Sequence, residues 1–191
     1  MGKKVNAVLG LAIIAAFLVH ILYEIISFLT FYYNPSVTKT IANIVAPMTI
    51  AHIIISAVIV FIAHDKGNGL RYPKLNVRTI IQRISAVIMV LLLPVHFQTF
   101  GMLQRSAEDG RAGFIALIAL QILFYGIVLT HVAVSTGNAF ITLGLIDTEQ
   151  KRRRLDVAIW IICAVLFVAA SVVIVRTELI MFSPAATGGA S

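Results

Sequence analysis

Charged side chains are scarce in this sequence: Asp, Glu, Lys and Arg make up 12% of its 191 residues, against about a quarter in soluble domains. With 60% hydrophobic residues and a mean hydropathy of +0.98, that scarcity excludes a soluble globular domain and puts the chain in a bilayer. Long hydrophilic connections are missing too. The longest, HDKGNGLRYPKLN, is about a dozen residues, so nothing outside the membrane can bury a core, and any soluble chemistry must come from another chain. The tail SPAATGGAS is expected only to fray. Cysteine occurs once, at Cys163, which excludes an internal disulfide and leaves zinc or copper without thiolate help. No internal repeat is visible, and five spans do not divide into equal halves, which disfavours an inverted-repeat transporter.

What is present is apolar length. A helix needs roughly 20 mainly apolar residues to cross about 30 Å of hydrocarbon, and five stretches qualify, at about 5–33, 41–63, 79–103, 112–145 and 156–182. They predict an all-α integral membrane bundle of five transmembrane helices, folded as one domain over residues 1–191. The first stretch is expected to remain as a span, being long, holding His20 and Glu24, and lacking a small-residue cleavage site. Eleven of the fifteen basic residues fall on one side: Lys3 and Lys4, then Lys66 to Arg83 around the second connection, then Lys151 to Arg154. Only Lys39, Arg105, Arg111 and Arg176 fall on the other. Positive-inside bias therefore predicts a cytoplasmic N-terminus and an external C-terminus. This topology accounts for the net charge of +7 and calls for no nucleic acid. The run EQKRRRLD also suits an anionic lipid or a cytoplasmic partner.

Inside those spans lie four histidines, His20, His52, His96 and His131, one on each of the first four helices, while His64 ends the second. Taken singly, an intramembrane His is most often an interhelical hydrogen-bonding group. Four on four helices instead supply two pairs of neutral imidazoles, the ligand set of two bis-imidazole haems. Depth along the spans favours His52 with His131 and His20 with His96. His52 and His64, the only two on one helix, stand about 120° apart around it and do not face the same way. Without a Cys-x-x-Cys-His sequence any haem is b-type.

These residues resemble a known family. LGLAIIAAFLVH, PMTIAHIIISAVIVFIAHDKG, IQRISAVIMVLLLPVHFQTF and THVAVSTGNAFITLGLI are similar to the first four helices of the five-helix, two-haem cytochrome b anchor of succinate:quinone oxidoreductases and quinol:fumarate reductases. The resemblance covers nearly the whole chain. It implies two haem b groups, His52 and His131 on the haem nearer the cytoplasm, His20 and His96 on the outer one, and a membrane quinone, menaquinone, as substrate. It also implies an iron–sulfur subunit and a flavoprotein on the cytoplasmic face, in a bacterial or archaeal cytoplasmic membrane. The chain itself would bind no dicarboxylate. It departs from the family at Leu129, where some fumarate reductases carry an acid for proton transfer, and in lacking a Trp after the fourth-helix His, its only Trp being Trp160.

Glu24, one turn beyond His20, is either a neutral hydrogen-bonded acid or the group that protonates quinone. Arg83 and Ser85 are candidates for a haem propionate, a quinone carbonyl or the subunit interface, and His64 for a propionate. Two alternatives stay open: a di-haem quinone anchor of another respiratory enzyme, such as a nitrate reductase or hydrogenase, and a proton-coupled transporter using the buried His and Glu.

Overall fold

The computed structural model describes residues 2–61, 73–109 and 111–182. Five helices follow one another, with no strand among the described residues: α1 (Gly2–Thr30), α2 (Pro35–Phe61), α3 (Pro73–Asp109), α4 (Arg111–Leu143) and α5 (Glu149–Phe182). Each contains a stretch long and apolar enough to cross a membrane, so the expected all-α bundle of five transmembrane helices is what the chain forms. His64 lies outside the described residues.

Helix ends follow local chemistry more than hydropathy. α2 starts at Pro35, six residues before the apolar run, because Asn34 caps it: its side-chain Oδ1 accepts from the Ser36 amide at 3.0 Å and Pro35 takes the first helical position, where its missing N–H costs nothing. α5 likewise begins at Glu149, ahead of the expected 156. Thr148 caps it by accepting from the amides of Lys151 and Arg152, so the basic run is helical rather than a loop. α4 closes at Gly144, whose φ of 76° suits only glycine without strain. There the Leu145 amide reaches back to the Phe140 carbonyl and the Gly144 amide to that of Ile141, a Schellman closure. Between α4 and α5, Lys151 pairs with Asp147 and holds that exposed carboxyl below the usual carboxylate range, first through its hydrogen bond and then through its charge.

α4 is the central helix. It packs on α1, α3 and α5, and with α5 it forms a buried knot of Leu129, Ala133 and Cys163, against which Phe17 of α1 also packs. Cys163 is thus a packing residue. α2 packs on α1, and none of its described side chains is buried. The bundle is therefore tight along α3–α4–α5 and open between α2 and the α3–α4 pair.

The end of the bundle where α1, α3 and α5 begin is closed by an ion pair. Arg78 of α3 passes across α4 to Asp156 of α5, with Nη1 donating to Oδ2 at 2.6 Å and Nη2 to Oδ1 at 2.9 Å, while Nε donates to the Val134 carbonyl of α4 at 3.0 Å. The bridge fits because residue 137 is glycine. A Cβ there would stand 2.5 Å from Arg78 Nη2 and 2.7 Å from Asp156 Oδ1. Gly137→Ala is accordingly expected to destabilise the chain by about 1–3 kcal/mol through overpacking, read as a lower thermal-unfolding midpoint in detergent. Gly126→Ala, which meets only the edge of the Phe167 ring at 3.3 Å, should cost less. An unchanged midpoint for Gly137→Ala would contradict the bridge.

Candidate functional site: two histidine pairs at two depths

α1 and α2 run antiparallel in a register set by three rungs. Asn6 donates to Ser56 Oγ at 3.2 Å, Gly10 abuts His52, and Thr38 donates to Glu24 Oε1 at 3.0 Å. The middle rung depends on glycine, since a Cβ at residue 10 would lie 3.3 Å from His52 Cε1. His52 thereby stands level with Gly10, and His20 stands ten residues further along α1, about 15 Å at 1.5 Å per residue. α4 repeats this spacing, with Gln121 and His131 also ten residues apart.

His131 is held from α3. Its Nδ1 lies 3.1 Å from the Gln82 carbonyl and 3.1 Å from Ser85 Oγ, and Ser85 itself donates to that carbonyl at 3.1 Å. A carbonyl only accepts, so the proton sits on Nδ1, which leaves Nε2 as a bare lone pair. Ser85 is buried, and the Gln82 side chain is fixed in turn by Asn138 Nδ2, donating at 2.9 Å.

His96 shows the same logic with the helices exchanged. Thr99 commits its hydroxyl proton to the Val95 carbonyl at 2.9 Å, so toward Gln121 Nε2 it can only accept. That turns the Gln121 oxygen to His96, whose Nδ1 lies 3.2 Å from it and must carry the proton. Again Nε2 is left bare. Gln121 and Thr99 are both buried, so water does not compete for these bonds. Phe124 stacks on the His96 ring at 4.8 Å and Tyr125 meets it edge-on at 5.9 Å, which restricts its rotation.

One of these fixed rings, His96, has another of the imidazoles as its neighbour. His20 faces His96 with ring centroids 6.5 Å apart and planes 83° to one another. The expected partner of His131 is His52, on α2. The Nδ1 atoms of His20 and His52 are buried and make no hydrogen bond among the described residues, so these two rings are the adjustable members of their pairs. Two imidazole nitrogens each about 2.0–2.1 Å from one metal, with ring centres roughly 1.1 Å behind them, put the centroids about 6.3 Å apart. The His20–His96 separation matches that span. No three of His, Cys, Asp and Glu converge among the described residues. His20 and His96 together offer two ring nitrogens, a donor set that suits a metal whose other ligands come from a macrocycle.

Of the remaining residues singled out in the sequence, Ser85 is drawn into the His131 site. Glu24 lies on the His20 side, with Oε1 3.9 Å from His20 Nδ1. Arg83 is exposed on α3, and the arginine tied into the bundle is Arg78. Three features lay beyond the sequence reading. Gln121 and Thr99 look like ordinary polar interruptions of apolar helices until α3 is set against α4. Gly137 is one small residue among several. Glu178 of α5, buried with Oε2 unpaired among the described residues, was visible as an acid within an apolar run.

In chain prepared without haem and labelled with 15N-histidine, NMR should find Nδ1 protonated and Nε2 unprotonated in both His96 and His131. Gln121→Leu should remove that bias for His96 alone. A His96 protonated on Nε2 before substitution would contradict the assignment. Comparison of the chain with protein-family models, with curated proteins and with solved structures finds no match, so what can be said of its chemistry rests on these residues.

Proposed function

We propose that this chain is a di-haem b-type cytochrome that anchors a succinate dehydrogenase or fumarate reductase complex and passes electrons between its iron–sulfur subunit and a membrane quinone, menaquinone. The observation that carries the reading is the pair of imidazoles from α1 and α3, 6.5 Å apart, with the proton of one held on Nδ1 by a buried amide. The expected second pair is His52 and His131, at a level about 15 Å along the bundle from the first, with His131 Nδ1 held by the Gln82 carbonyl. Haem b bound by each pair would take up and release one electron.

The protein's own part is orientation and exclusion of water. Gln121 and the Gln82 carbonyl hold the proton on Nδ1, so each fixed histidine offers Nε2 without a tautomer change, and the same bonds raise its basicity as a ligand. Gly10 leaves the His52 ring room to turn toward His131. Buried Phe124 and Leu129 keep the surroundings apolar. Quinone reduction consumes two protons with two electrons, and Glu24 is placed to deliver one. It sits one turn beyond His20, and Thr38 orients its carboxyl. The basic end of the bundle is the side assigned to the cytoplasm, where the iron–sulfur subunit would dock over the helix ends.

If the pairs are as given, His52→Ala and His131→Ala should each abolish the same one of two low-spin haem signals, and His20→Ala and His96→Ala the other. A crossed pattern, such as His52 matching His96, would reject the pairing. Glu24→Gln keeps size and hydrogen bonding but removes the titratable proton. Haem content should therefore survive, as should electron transfer from the soluble subunits to haem, while quinone turnover falls. Wild-type quinone turnover in Glu24→Gln across the working pH range would make Glu24 structural.

A further inference from the structure

Beside the Arg78–Asp156 bridge, the first three turns of α5 carry an open groove of about 430 Å3. Its lining changes character along the helix. Arg152 and Arg153 stand at the top with Glu149, Asp156 is at mid-height, and Val157, Trp160 and Ile161 form the lower wall. Arg153, Val157 and Trp160 follow at i, i+4 and i+7 and therefore share one face. Seven residues separate Arg153 from Trp160, about 10 Å along the axis. The headgroup zone of one leaflet is roughly 5–8 Å thick, so with Trp160 at the top of the hydrocarbon Arg153 emerges at the outer edge of that zone, and the long arginine side chains reach back to the phosphates. Trp160 is half-exposed, where an interfacial indole belongs.

Asp156 would repel an anion from such a groove, and the bridge removes that obstacle. Both of its oxygens accept from Arg78, at 2.6 and 2.9 Å, while Arg152 Nε lies 4.0 Å away, beyond hydrogen-bond reach. Arg78 comes from behind, through the notch at Gly137, and lines no part of the groove. Arg152 keeps only a long i, i+4 ion pair with Asp156 at 4.0 Å, Glu149 is the other acid of the groove, and Arg153 makes no ion pair among the described residues.

We propose that this groove is a binding site for an anionic phospholipid. Its phosphate pairs with Arg152 and Arg153, and its glycerol and upper acyl chain lie along Val157, Trp160 and Ile161. Guanidinium suits the phosphate because its fork of donors meets two oxygens at once. A lipid fits better than a soluble partner because the lower wall descends below the headgroups, where only a lipid follows it. Arg78 is a positioning residue for this site, acting through Asp156.

The test is native mass spectrometry of the whole purified chain titrated with phosphatidylglycerol or phosphatidylcholine. Phosphatidylglycerol should be retained more tightly, and Arg152→Gln and Arg153→Gln should each weaken it roughly fivefold, the loss expected for one basic residue at a membrane surface. Arg78→Gln should weaken it as well, since Asp156 then faces the groove and draws Arg152 onto itself. Arg78→Gln with Asp156→Asn should restore it, because the carboxylate that Arg78 had masked is gone. If the Arg78 variants fail to fold, exposed Arg153 and Trp160 decide the matter through Arg153→Gln and Trp160→Ala. Equal retention of the two lipids, or phosphatidylglycerol binding unchanged in Arg153→Gln, would overturn the proposal. Displacement of phosphatidylglycerol by millimolar inorganic phosphate would overturn it in favour of a phosphate site. None of these outcomes depends on whether the chain holds haem.

Discussion

In hydrocarbon a polar side chain has no water to turn to, so it gains by finding a partner on its own helix or on a neighbouring one. That constraint organises the α3–α4 interface, on which the rest of the bundle depends. From the basic end, Arg78, the Gln82 carbonyl and Ser85 of α3 meet Val134 and His131 of α4. Further along, the direction of holding reverses, and Gln121 of α4 meets His96 and Thr99 of α3. This ladder sets the register of the two helices, and a slip of either would strand several polar groups at once. It also decides the protonation of two histidines, because each bond to Nδ1 is made by a group able only to accept there.

The α1–α2 hairpin plays the complementary part. Its own rungs are fewer, and its two intramembrane histidines keep Nδ1 unpaired among the described residues. α2 stands apart from α3 and α4, on the open side of the bundle. His20 and His96 therefore join a ring fixed by a hydrogen bond to one whose Nδ1 makes none among the described residues. For a two-nitrogen metal site this division is useful, since the fixed ring defines the axis and the free one accommodates it. Distance and depth agree: 6.5 Å between the rings of one pair, and about 15 Å between the levels of the two.

The five helices were legible because hydrophobic length and scarce charge leave a chain of this composition little alternative. The starts of α2 and α5 were not, since Asn34 and Thr148 extend each helix back beyond its apolar run by capping chemistry that hydropathy does not weigh. The four histidines stood out as costly residues in apolar surroundings, and the structure sets His20 beside His96, with ring centroids 6.5 Å apart. Gln121, Thr99 and Gly137 stayed hidden because their roles are relations between helices. A glutamine facing lipid and a glutamine holding an imidazole read alike in one dimension. Glu178 was as visible as Glu24 and lacked only a neighbouring histidine to draw the eye. The ion pair of Arg78 and Asp156 joins residues 78 positions apart, beyond any local pattern.

All of this rests on each histidine pair holding one haem. The direct measurement is the haem content of the purified chain, produced with haem in adequate supply and assayed as the pyridine haemochrome. The account predicts a b-type spectrum and close to two haems per chain. A colourless preparation would contradict it outright, and one haem per chain would contradict the second pair.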